Sequence, residues 1–437
     1  MLYLWGIRMG GAYRRLSRPF YRPKSVTIYG HKNVARRAKP APPVRRLGAP
    51  QTSTHTAFSR FSWFSWLRVL HPLHASRDFC AQCYLQKYNI RIYKPIYCMT
   101  FNGLANLGNT CYLNSCIQVI LRMSKLNDYL IKGEYKKHLK NQPDSLIMVE
   151  WDNLRDMMWS NNNCVIAPNA YVRAVQRVAT HKGRDIFTGM AQNDMPEFLI
   201  FFMECMHNAV SREVNMRICG TEINTVDRLA TQSYKMMKEM FEKDYSEMVE
   251  LFYCIQVTII SDIDCPREEL MLNALSSKSE PLFILDIPIP AQPNTTLYEC
   301  FDYYCSGEIL HGENAWLNEK TGRKQSVRKT TMFWSLPNYM VISLKRFNNQ
   351  MQKLKTYVDF PLKANFAPYV CGYKRDTYVY EAFGVCEHVG NIGGGHYTCK
   401  VLGEDDQWRN INDTSVDIIP SNNVVTPNAY CIFYRRM

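Results

Sequence analysis

The feature that most constrains this chain is a turn rich in glycine and asparagine that leads directly into an apolar helical pattern. The turn and the start of the helix occupy residues 103–116, with the sequence GLANLGNTCYLNSC. Apolar residues then recur at i, i+3, i+4, i+7 and i+8, which is the spacing of a buried helix. These residues are Leu113, Cys116, Ile117, Ile120 and Leu121. The glycines allow a tight turn, so this stretch can present one side chain at the head of the helix.

The side chain in that place is Cys111, which falls in the first turn of the predicted helix. Asn109 and Thr110 precede it and are candidate N-caps. A thiol there experiences the positive end of the helix dipole, which favours the nucleophilic thiolate. Helix position alone also fits a small buried residue behind an ordinary capped turn. A base elsewhere in the chain would favour the nucleophile.

A candidate base lies in the C-terminal part of the chain. Three glycines, residues 393–395, lead into His396 at the start of an alternating apolar strand. Asn412 and Asp413 follow, and either could fix the imidazole tautomer as the third member of a triad. Each of these residues is also common in turns. Their presence together with Cys111 favours thiol-based nucleophilic catalysis.

The positive charge of the chain is confined to its first 98 residues. The formal net charge of the 437 residues is +14, which would suggest nucleic acid or an anionic membrane as a partner. Residues 1–98 hold 18 Lys and Arg against the single acid Asp78, whereas residues 99–437 hold 35 against 38 Asp and Glu. We therefore expect no nucleic-acid and no membrane partner. Binding of nucleic acid by the basic segment remains an alternative, which predicts salt-dependent binding that disappears when residues 1–98 are removed.

Residues 1–98 have the composition of a disordered extension, with a Pro-, Arg- and Gly-rich run at residues 38–50. An Arg-rich segment nearly free of acids is also typical of an organelle transit peptide. Alternatively, Met99 is the true initiator and the upstream residues are not translated. We divide the chain into this extension and a domain spanning residues 99–437.

The cysteine spacing favours a reducing compartment, the cytoplasm or the nucleus. The 16 cysteines lack the paired spacings of a secreted disulfide scaffold. Cys80 and Cys83 have zinc-ligand spacing, but no second pair accompanies them. No apolar run reaches the roughly 18 residues that span a bilayer, so we expect a soluble protein.

The motif around Cys111 resembles the catalytic Cys box of the ubiquitin-specific protease family of cysteine deubiquitinases. The matching positions are Gly103, Leu104, Asn106, Leu107, Gly108, Asn109, Thr110, Cys111, Tyr112, Asn114, Ser115 and Gln118. The family's His box is similar to Gly394, Gly395, His396 and Tyr397, followed by Trp408, Asn412 and Asp413. Further landmarks follow in the family's order, at residues 192–194, 197–198, 314–316, 344–347, 358–361 and 429–434.

The resemblance implies a papain-like α+β fold with fingers, palm and thumb subdomains, in which the Cys helix lies in the thumb and the His on the palm sheet. The residues agree in outline. Apolar residues repeat at helical spacing from Met195, and Pro196 fits only the first turn of such a helix. After residue 250, short apolar runs at residues 281–290, 339–347 and 430–434 predict strands.

The resemblance also implies an activity, the hydrolysis of the bond after the C-terminal glycine of ubiquitin. Ubiquitin and ubiquitinated proteins would be the partners of a monomeric enzyme without a cofactor. Cys111 would attack and His396 would act as base and acid. Asn412 would orient the ring, Asp413 would assist or replace it, and Asn106 with the Cys111 backbone N–H would hold the oxyanion.

The substrate contacts implied by the resemblance are Gln118, Gln192, Asp194, Glu197, His388, Gly394, Gly395 and Tyr397. Asp194 and Glu197 also fit the ordinary acids of a helix first turn. The glycines at 393–395 fit a loop over a channel that only a Gly-Gly tail can enter, and simple loop flexibility is the alternative.

Two departures from the family pattern affect these expectations. Many members carry a zinc ribbon made of two C-x-x-C pairs, but here residues 317–321 replace the second pair and only Cys265 remains of the first. Four zinc ligands cannot be assembled, so we predict no metal. Asn193 also replaces a glutamine of the family pattern. A catalytically weak ubiquitin-binding module and a protease for a ubiquitin-like modifier therefore remain alternatives.

Overall fold

The computed structural model describes residues 27–31, 101–160 and 164–437 of the chain. Within the first 98 residues it describes the strand β1 (Thr27–His31), which pairs antiparallel with β4 (Asn215–Cys219). The expectations about disorder, targeting and the Cys80–Cys83 pair otherwise lie outside the described residues. They stay predictions, as does the domain boundary at residue 99.

Helices dominate the first half of the described chain, as the sequence predicted, and one more α-helix follows in the second half. They are α1 (Cys111–Ile120), α2 (Ser124–Ile131), α3 (Asp144–Ser160), α4 (Asn169–His181), α5 (Met195–Val210), α6 (Thr225–Phe241), α7 (Glu247–Phe252) and α8 (Leu297–Cys305). None of these helices is long and apolar enough to cross a membrane.

Helix α1 is the helix that the apolar spacing predicted, and all ten of its residues are buried. Thr110 is its N-cap residue, but its hydroxyl makes no cap bond and accepts instead from the Leu107 N–H at 2.9 Å. Asn109 has a left-handed φ of +55° and donates its amide to the Met190 carbonyl. Side-chain capping by Asn109 or Thr110 was therefore a wrong expectation, and the helix is held by its packing.

Helix α5 begins at Met195 with Pro196 in its first turn, as predicted. It packs against α1 and α3, with the Phe198 ring edge-on to Tyr112 at 5.4 Å and the Phe202 ring edge-on to Trp151 at 5.2 Å. Helices α1 to α5 form the thumb subdomain.

An eight-stranded sheet forms the palm, in the order β19-β18-β17-β16-β20-β13-β7, with β15 pairing with β16. Its strands are β7 (Ile284–Pro288), β13 (Tyr339–Lys345), β15 (Lys363–Asn365), β16 (Val379–Asn391), β17 (Gly394–Leu402), β18 (Trp408–Asn412), β19 (Ser415–Ile419) and β20 (Ala429–Arg436). The strands predicted at residues 339–347 and 430–434 correspond to β13 and β20. Helix α1 packs across β16, β17 and β18, which brings the head of the helix to the start of β17.

A separate four-stranded antiparallel sheet, in the order β6-β5-β12-β9, forms the fingers. Its strands are β5 (Cys254–Ser261), β6 (Ser276–Leu282), β9 (Glu308–Leu310) and β12 (Val327–Ser335). Shorter pairs complete the fold: β2 (Gly103–Leu104) with β3 (Val165–Ile166), β8 (Asn294–Thr296) with β14 (Tyr357–Asp359), and β10 (Trp316–Asn318) with β11 (Arg323–Gln325). Helix α6 packs on β6.

The fingers have a hydrophobic core of their own, distinct from the larger core between the thumb and the palm. Cys265 is buried in the finger core, and its thiol donates to the Pro266 carbonyl oxygen at 3.6 Å. Among the described residues, no group of three or more His, Cys, Asp or Glu side chains is placed to hold a metal ion. In this part of the chain, strand pairing and apolar packing hold the fingers together.

Candidate active site

The turn before α1 is built from close backbone contacts. A Cβ added at Gly103 would lie 2.3 Å from the carbonyl oxygen of Thr414, so only glycine fits there. The Asn106 side-chain oxygen accepts from the backbone N–H groups of Gly108 and Thr110, each at 3.1 Å. These bonds wind the chain into an Asx-type turn that delivers Cys111 to the head of the helix.

Cys111 is only 3% exposed, and the backbone N–H of Tyr397 acts on its thiol. Burial raises the pKa of the thiol above its ordinary value, and the nearby Asp413 carboxylate raises it further. The N–H of Tyr397 opposes this shift without overcoming it. The backbone N–H groups of Cys111 and Tyr112 at the head of the helix do favour the thiolate, as expected, but desolvation outweighs them and leaves the pKa of the thiol raised.

His396 lies near the start of β17, the strand against which α1 packs. Its Nε2 lies 2.7 Å from Oδ1 of Asn412. Because an amide oxygen only accepts, we assign the proton to Nε2, which leaves Nδ1 as the acceptor nitrogen. In the register of β17 and β18, Cys399 lies opposite Ile411, which makes His396 and Asn412 diagonal neighbours at the end of the strand pair.

Asp413 does not share the Asn412 contact with the imidazole. It has a left-handed φ of +48°, and its carboxylate accepts from the side-chain amides of Asn106 at 3.0 Å and Asn114 at 2.7 Å. The backbone N–H of Leu104 also donates to its carbonyl oxygen at 2.8 Å. The alternative left open by the sequence is thereby decided: Asn412 contacts His396, and Asp413 holds the oxyanion candidate Asn106.

Next to Cys111 lies a cleft of about 300 Å³ between the thumb and the palm. Its walls include the predicted site residues Cys111, Gln192, Asp194, His388, Gly394, Gly395 and Tyr397. Asn193, Phe347, Tyr430 and residues 391–393 complete much of the lining. Phe347 and Tyr430 belong to family landmarks in the sequence, but their motifs alone gave no reason to place them in the site.

Two predicted substrate contacts lie outside this cleft. Gln118 is 1% exposed and donates its amide to the Asn102 carbonyl at 2.7 Å, so it cannot reach a substrate. Glu197 is exposed in the first turn of α5 and does not line the cleft. For Gln118 the expectation was wrong, because its position two turns into the helix lies away from the cleft and its amide is bound to the Asn102 carbonyl.

Asp194 stands at the rim of the cleft as the N-cap residue of α5, but its side chain makes no cap bond. Its Oδ1 accepts instead from the hydroxyls of Tyr397 at 2.9 Å and Tyr430 at 3.0 Å. Burial raises the pKa of this carboxyl group, and the nearby Asp286 carboxylate adds to the effect. The side chain is therefore oriented into the cleft and does not serve the helix.

The glycine-rich hairpin between β16 and β17 contacts the thumb through Gln192. Oε1 of Gln192 accepts from the Gly395 N–H at 2.7 Å, and a Cβ at Gly394 would come within 2.2 Å of the same oxygen. The glycines are thus required for a close contact across the cleft. Neither the tail channel nor the loop flexibility expected from the sequence includes this contact.

His388 forms part of the palm wall of the cleft and is 4% exposed. Its ring stacks on Tyr397 with 4.6 Å between centroids. The Lys353 ammonium group lies 3.1 Å from its Nδ1. Burial, reinforced by the Lys353 charge, lowers the pKa of His388 to about 4. Lys353 was not among the predicted site residues, because its segment carries no pattern that points to the site.

Comparison with known proteins matches one family along most of the chain. The model of the family "Ubiquitin carboxyl-terminal hydrolase" matches residues 102–434. The human "Ubiquitin carboxyl-terminal hydrolase 2" is 30% identical over 345 residues, which cover 76% of this chain and 54% of the relative. The Drosophila melanogaster "Ubiquitin carboxyl-terminal hydrolase Usp2" is 27% identical over 342 residues, covering 76% of this chain and 34% of that protein. The chain thus spans about half or less of the length of these curated relatives.

Solved structures show the same fold. The "SAGA Ubp8/Sgf11/Sus1/Sgf73 DUB module bound to ubiquitin aldehyde" superposes with a TM-score of 0.61 at 20% identity, covering 82% of this chain and 75% of that one. The likeness confirms the predicted α+β fold of fingers, palm and thumb. Together with the family match over residues 102–434, it shows that the chain belongs to the ubiquitin carboxyl-terminal hydrolase family, as its Cys and His boxes predicted.

Proposed function

We propose that this chain is a thiol-dependent deubiquitinase that hydrolyses the isopeptide or peptide bond after the C-terminal glycine of ubiquitin. The observation that carries the proposal is the packing of α1, the helix headed by Cys111, against β17, the strand that bears His396. Nε2 of His396 lies 2.7 Å from Oδ1 of Asn412, so the imidazole is held on that strand. A nucleophile, a base and an orienting amide thus come together from three separate segments.

In the proposed reaction, the raised pKa of Cys111 makes proton transfer part of the attack. Nδ1 of His396 takes the thiol proton as the sulfur forms its bond to the carbonyl carbon of the terminal glycine. The tetrahedral intermediate collapses when His396 returns the proton to the leaving amine and the C–N bond breaks. A water molecule then gives a proton to Nδ1 of His396 as its oxygen bonds to the thioester carbon. The C–S bond breaks, His396 returns the proton to the Cys111 sulfur, and ubiquitin leaves with a free C-terminal carboxyl group.

The oxyanion would be held by the Cys111 backbone N–H and by the Asn106 amide. One N–H of that amide donates to Asp413, and an NH₂ group has a second N–H for the oxyanion. A preorganised donor of this kind is typically worth about 3 kcal/mol, because its orientation is set before the charge develops. Asp413 would supply that preorganisation.

The tail of ubiquitin carries arginine, and Asp194 provides a carboxylate at the rim of the cleft for it. A guanidinium group bound there would favour the ionised form of Asp194, which burial alone disfavours. The hairpin glycines leave room for a tail that ends in Gly-Gly. We extend the proposal to ubiquitin and ubiquitinated proteins as partners, to a monomer, and to the cytoplasm or nucleus.

A ubiquitin probe with a C-terminal electrophile tests the function directly. The wild-type chain is expected to form a covalent adduct, and Cys111→Ala is expected to form none. Binding without an adduct would support the non-catalytic module. An adduct only with a probe built on a ubiquitin-like modifier would support the alternative substrate.

A further inference from the structure

Lys353 is the basis of a further inference, because it directs a charge at a buried histidine of the cleft wall. It lies between β13 and β14, where it pairs by a backbone bridge with Phe347. Its ammonium group donates to the carbonyl oxygen of His388 at 2.5 Å and lies 3.1 Å from Nδ1 of the same residue. Among the described residues, no carboxylate forms an ion pair with Lys353.

The Lys353 contact determines which nitrogen of His388 carries the proton. An ammonium group has only donors, so Nδ1 must accept from it and the ring proton must reside on Nε2. The other groups around the ring are the Tyr397 and Tyr430 rings and the apolar ring of Phe347. The Asp194 carboxylate is bound to the hydroxyls of these two tyrosines. The charge of Arg346 acts on Lys353.

The Nε2 atom of His388 lies at the wall of the cleft. A Cβ added at Gly395 would come within 2.3 Å of this nitrogen, which places the Nε2–H group against the glycine hairpin. Both residues line the cleft beside Cys111. His388 stacks on Tyr397 and pairs with it across the β16–β17 ladder, and Tyr397 lines the same cleft as Cys111.

We propose that Lys353 is a positioning residue that fixes His388 in the Nε2–H form, so that His388 donates to a backbone carbonyl of the extended C-terminal tail of the substrate. This inference rests on the proposed function, since the tail is the ligand that the Nε2–H group serves. Lys353 acts through the imidazole and does not contact the tail. An extended tail presents a carbonyl group at every residue. A buried donor in a fixed orientation binds only one of them, and so fixes the register of the tail relative to the cleft.

Nitrogen-15 NMR of histidine-labelled full-length protein tests the tautomer without reference to activity. The chain has 10 histidines, and His388→Phe identifies the His388 signals. In the wild type, we expect the proton on Nε2 and no titration from pH 8 down to about 5. In Lys353→Met, we expect a mixture of tautomers and titration at higher pH, because the cation that opposes protonation is gone. A wild-type proton on Nδ1 would overturn the proposal without any variant.

Steady-state kinetics with a fluorogenic ubiquitin substrate test the effect on the tail. Lys353→Met is expected to raise KM about tenfold with kcat changed by no more than about threefold, as for the loss of one ground-state hydrogen bond. In the His388→Phe background, the same change should alter KM by less than about twofold, because the two residues act as one unit. Lys355→Met removes an exposed lysine two residues away and should match the wild type.

The outcomes separate this inference from the proposed function. Lys353→Arg keeps the cation and should retain the Nε2–H form of His388. It tests the inference even if Lys353→Met fails to fold. An active wild type with unchanged KM in a folded Lys353→Met variant would overturn the inference and leave the function intact. A wild type that hydrolyses no ubiquitin substrate while His388 remains in the Nε2–H form would overturn the function, and with it the role assigned to the tail.

Discussion

At the scale of single residues, Asp413 has two opposing effects on the site. Its carboxylate accepts from the side-chain amides of Asn106 and Asn114, which fixes the oxyanion candidate. The same negative charge raises the pKa of Cys111 and so disfavours the thiolate. We expect that fixing Asn106 as the oxyanion donor contributes more to the rate than a larger thiolate fraction of Cys111 would.

Asp413→Asn should therefore separate reactivity from turnover. The substitution removes the charge that raises the Cys111 pKa, so alkylation of Cys111 by a small haloacetamide should become faster at a given pH below that pKa. It also places an NH₂ group against a donor amide, so kcat/KM for a ubiquitin substrate should fall by about a hundredfold. Mass spectrometry of the alkylated Cys111 peptide and steady-state kinetics measure the two effects.

The matched control is Asp417→Asn, which removes one negative charge from the neighbouring strand β19. Its side chain accepts from Ser415 and contacts neither Asn106 nor Asn114. It should leave both measurements near those of the wild type. Slower alkylation of Asp413→Asn, or unchanged turnover, would contradict the two roles assigned to Asp413.

At the scale of elements, the hairpin between β16 and β17 determines the shape of the cleft. Gln192 of the thumb accepts from the Gly395 N–H, and this bond connects the hairpin to the segment before α5. Gly394 has a φ of +152° and leaves no space for a side chain against Gln192. The hairpin is thus held in place by one hydrogen bond that glycine makes possible.

Gly394→Ala should displace Gln192 and release the hairpin. The added Cβ would lie 2.2 Å from Oε1 of Gln192, so we expect faster exchange of the Gly395 amide hydrogen and a decrease in kcat/KM of about tenfold. Because the clash involves the end of a flexible side chain, the free energy of unfolding should fall by only about 1–2 kcal/mol. Hydrogen exchange, chemical denaturation and kinetics check the three effects.

Gly393→Ala provides the comparison, since a Cβ there would come no closer than 3.3 Å to Oδ1 of Asn391. Its exchange rates and kcat/KM should stay within about twofold of the wild type. Equal effects of the two alanines would mean that general loop stiffness, and not the Gln192 contact, controls the cleft.

At the scale of the whole molecule, two hydrophobic cores hold different parts of the structure together. The larger core joins the thumb helices to the palm sheet and includes Cys111, together with Tyr397 and Ile411, the chain neighbours of His396 and Asn412. The smaller core holds the fingers, where Trp334 packs edge-on against Tyr234 and Tyr373 at centroid distances of 6.0 and 5.2 Å. The catalytic geometry and the finger structure therefore depend on separate sets of contacts.

Trp334→Ala should weaken the fingers more than the active site. Trp334 is 2% exposed, and its removal should cost about 3–5 kcal/mol. Hydrogen exchange should accelerate in α6, β5 and β12 but remain slow in α1. Leu317→Ala, at a position 52% exposed in β10, is the control and should change little. Equal loss of protection in α1 and the fingers would show that the two cores unfold together.

The motifs predicted much of the fold and the site because their information is local. The apolar spacing after Cys111 predicted α1, and Pro196 marked the first turn of α5, since both depend on neighbours within a turn or two. The Cys and His boxes placed Cys111 in the first turn of a helix and His396 at the start of a strand, where the structure has them. Local spacing could not reveal that only the head of α1 reaches the cleft, while Gln118 binds the Asn102 carbonyl away from it.

By itself, therefore, the sequence determined the family, the α+β fold and the identity of the candidate nucleophile and base. Only the tertiary structure decided that Asn412 contacts His396 while Asp413 turns to Asn106, because strand register and a left-handed φ direct consecutive residues to different partners. It also decided the raised pKa of Cys111 and the pairing of Lys353 with His388. Burial and contacts between distant segments exist only once the chain has folded. Residue spacing reports neighbours within a helix or a strand, so it does not predict these contacts.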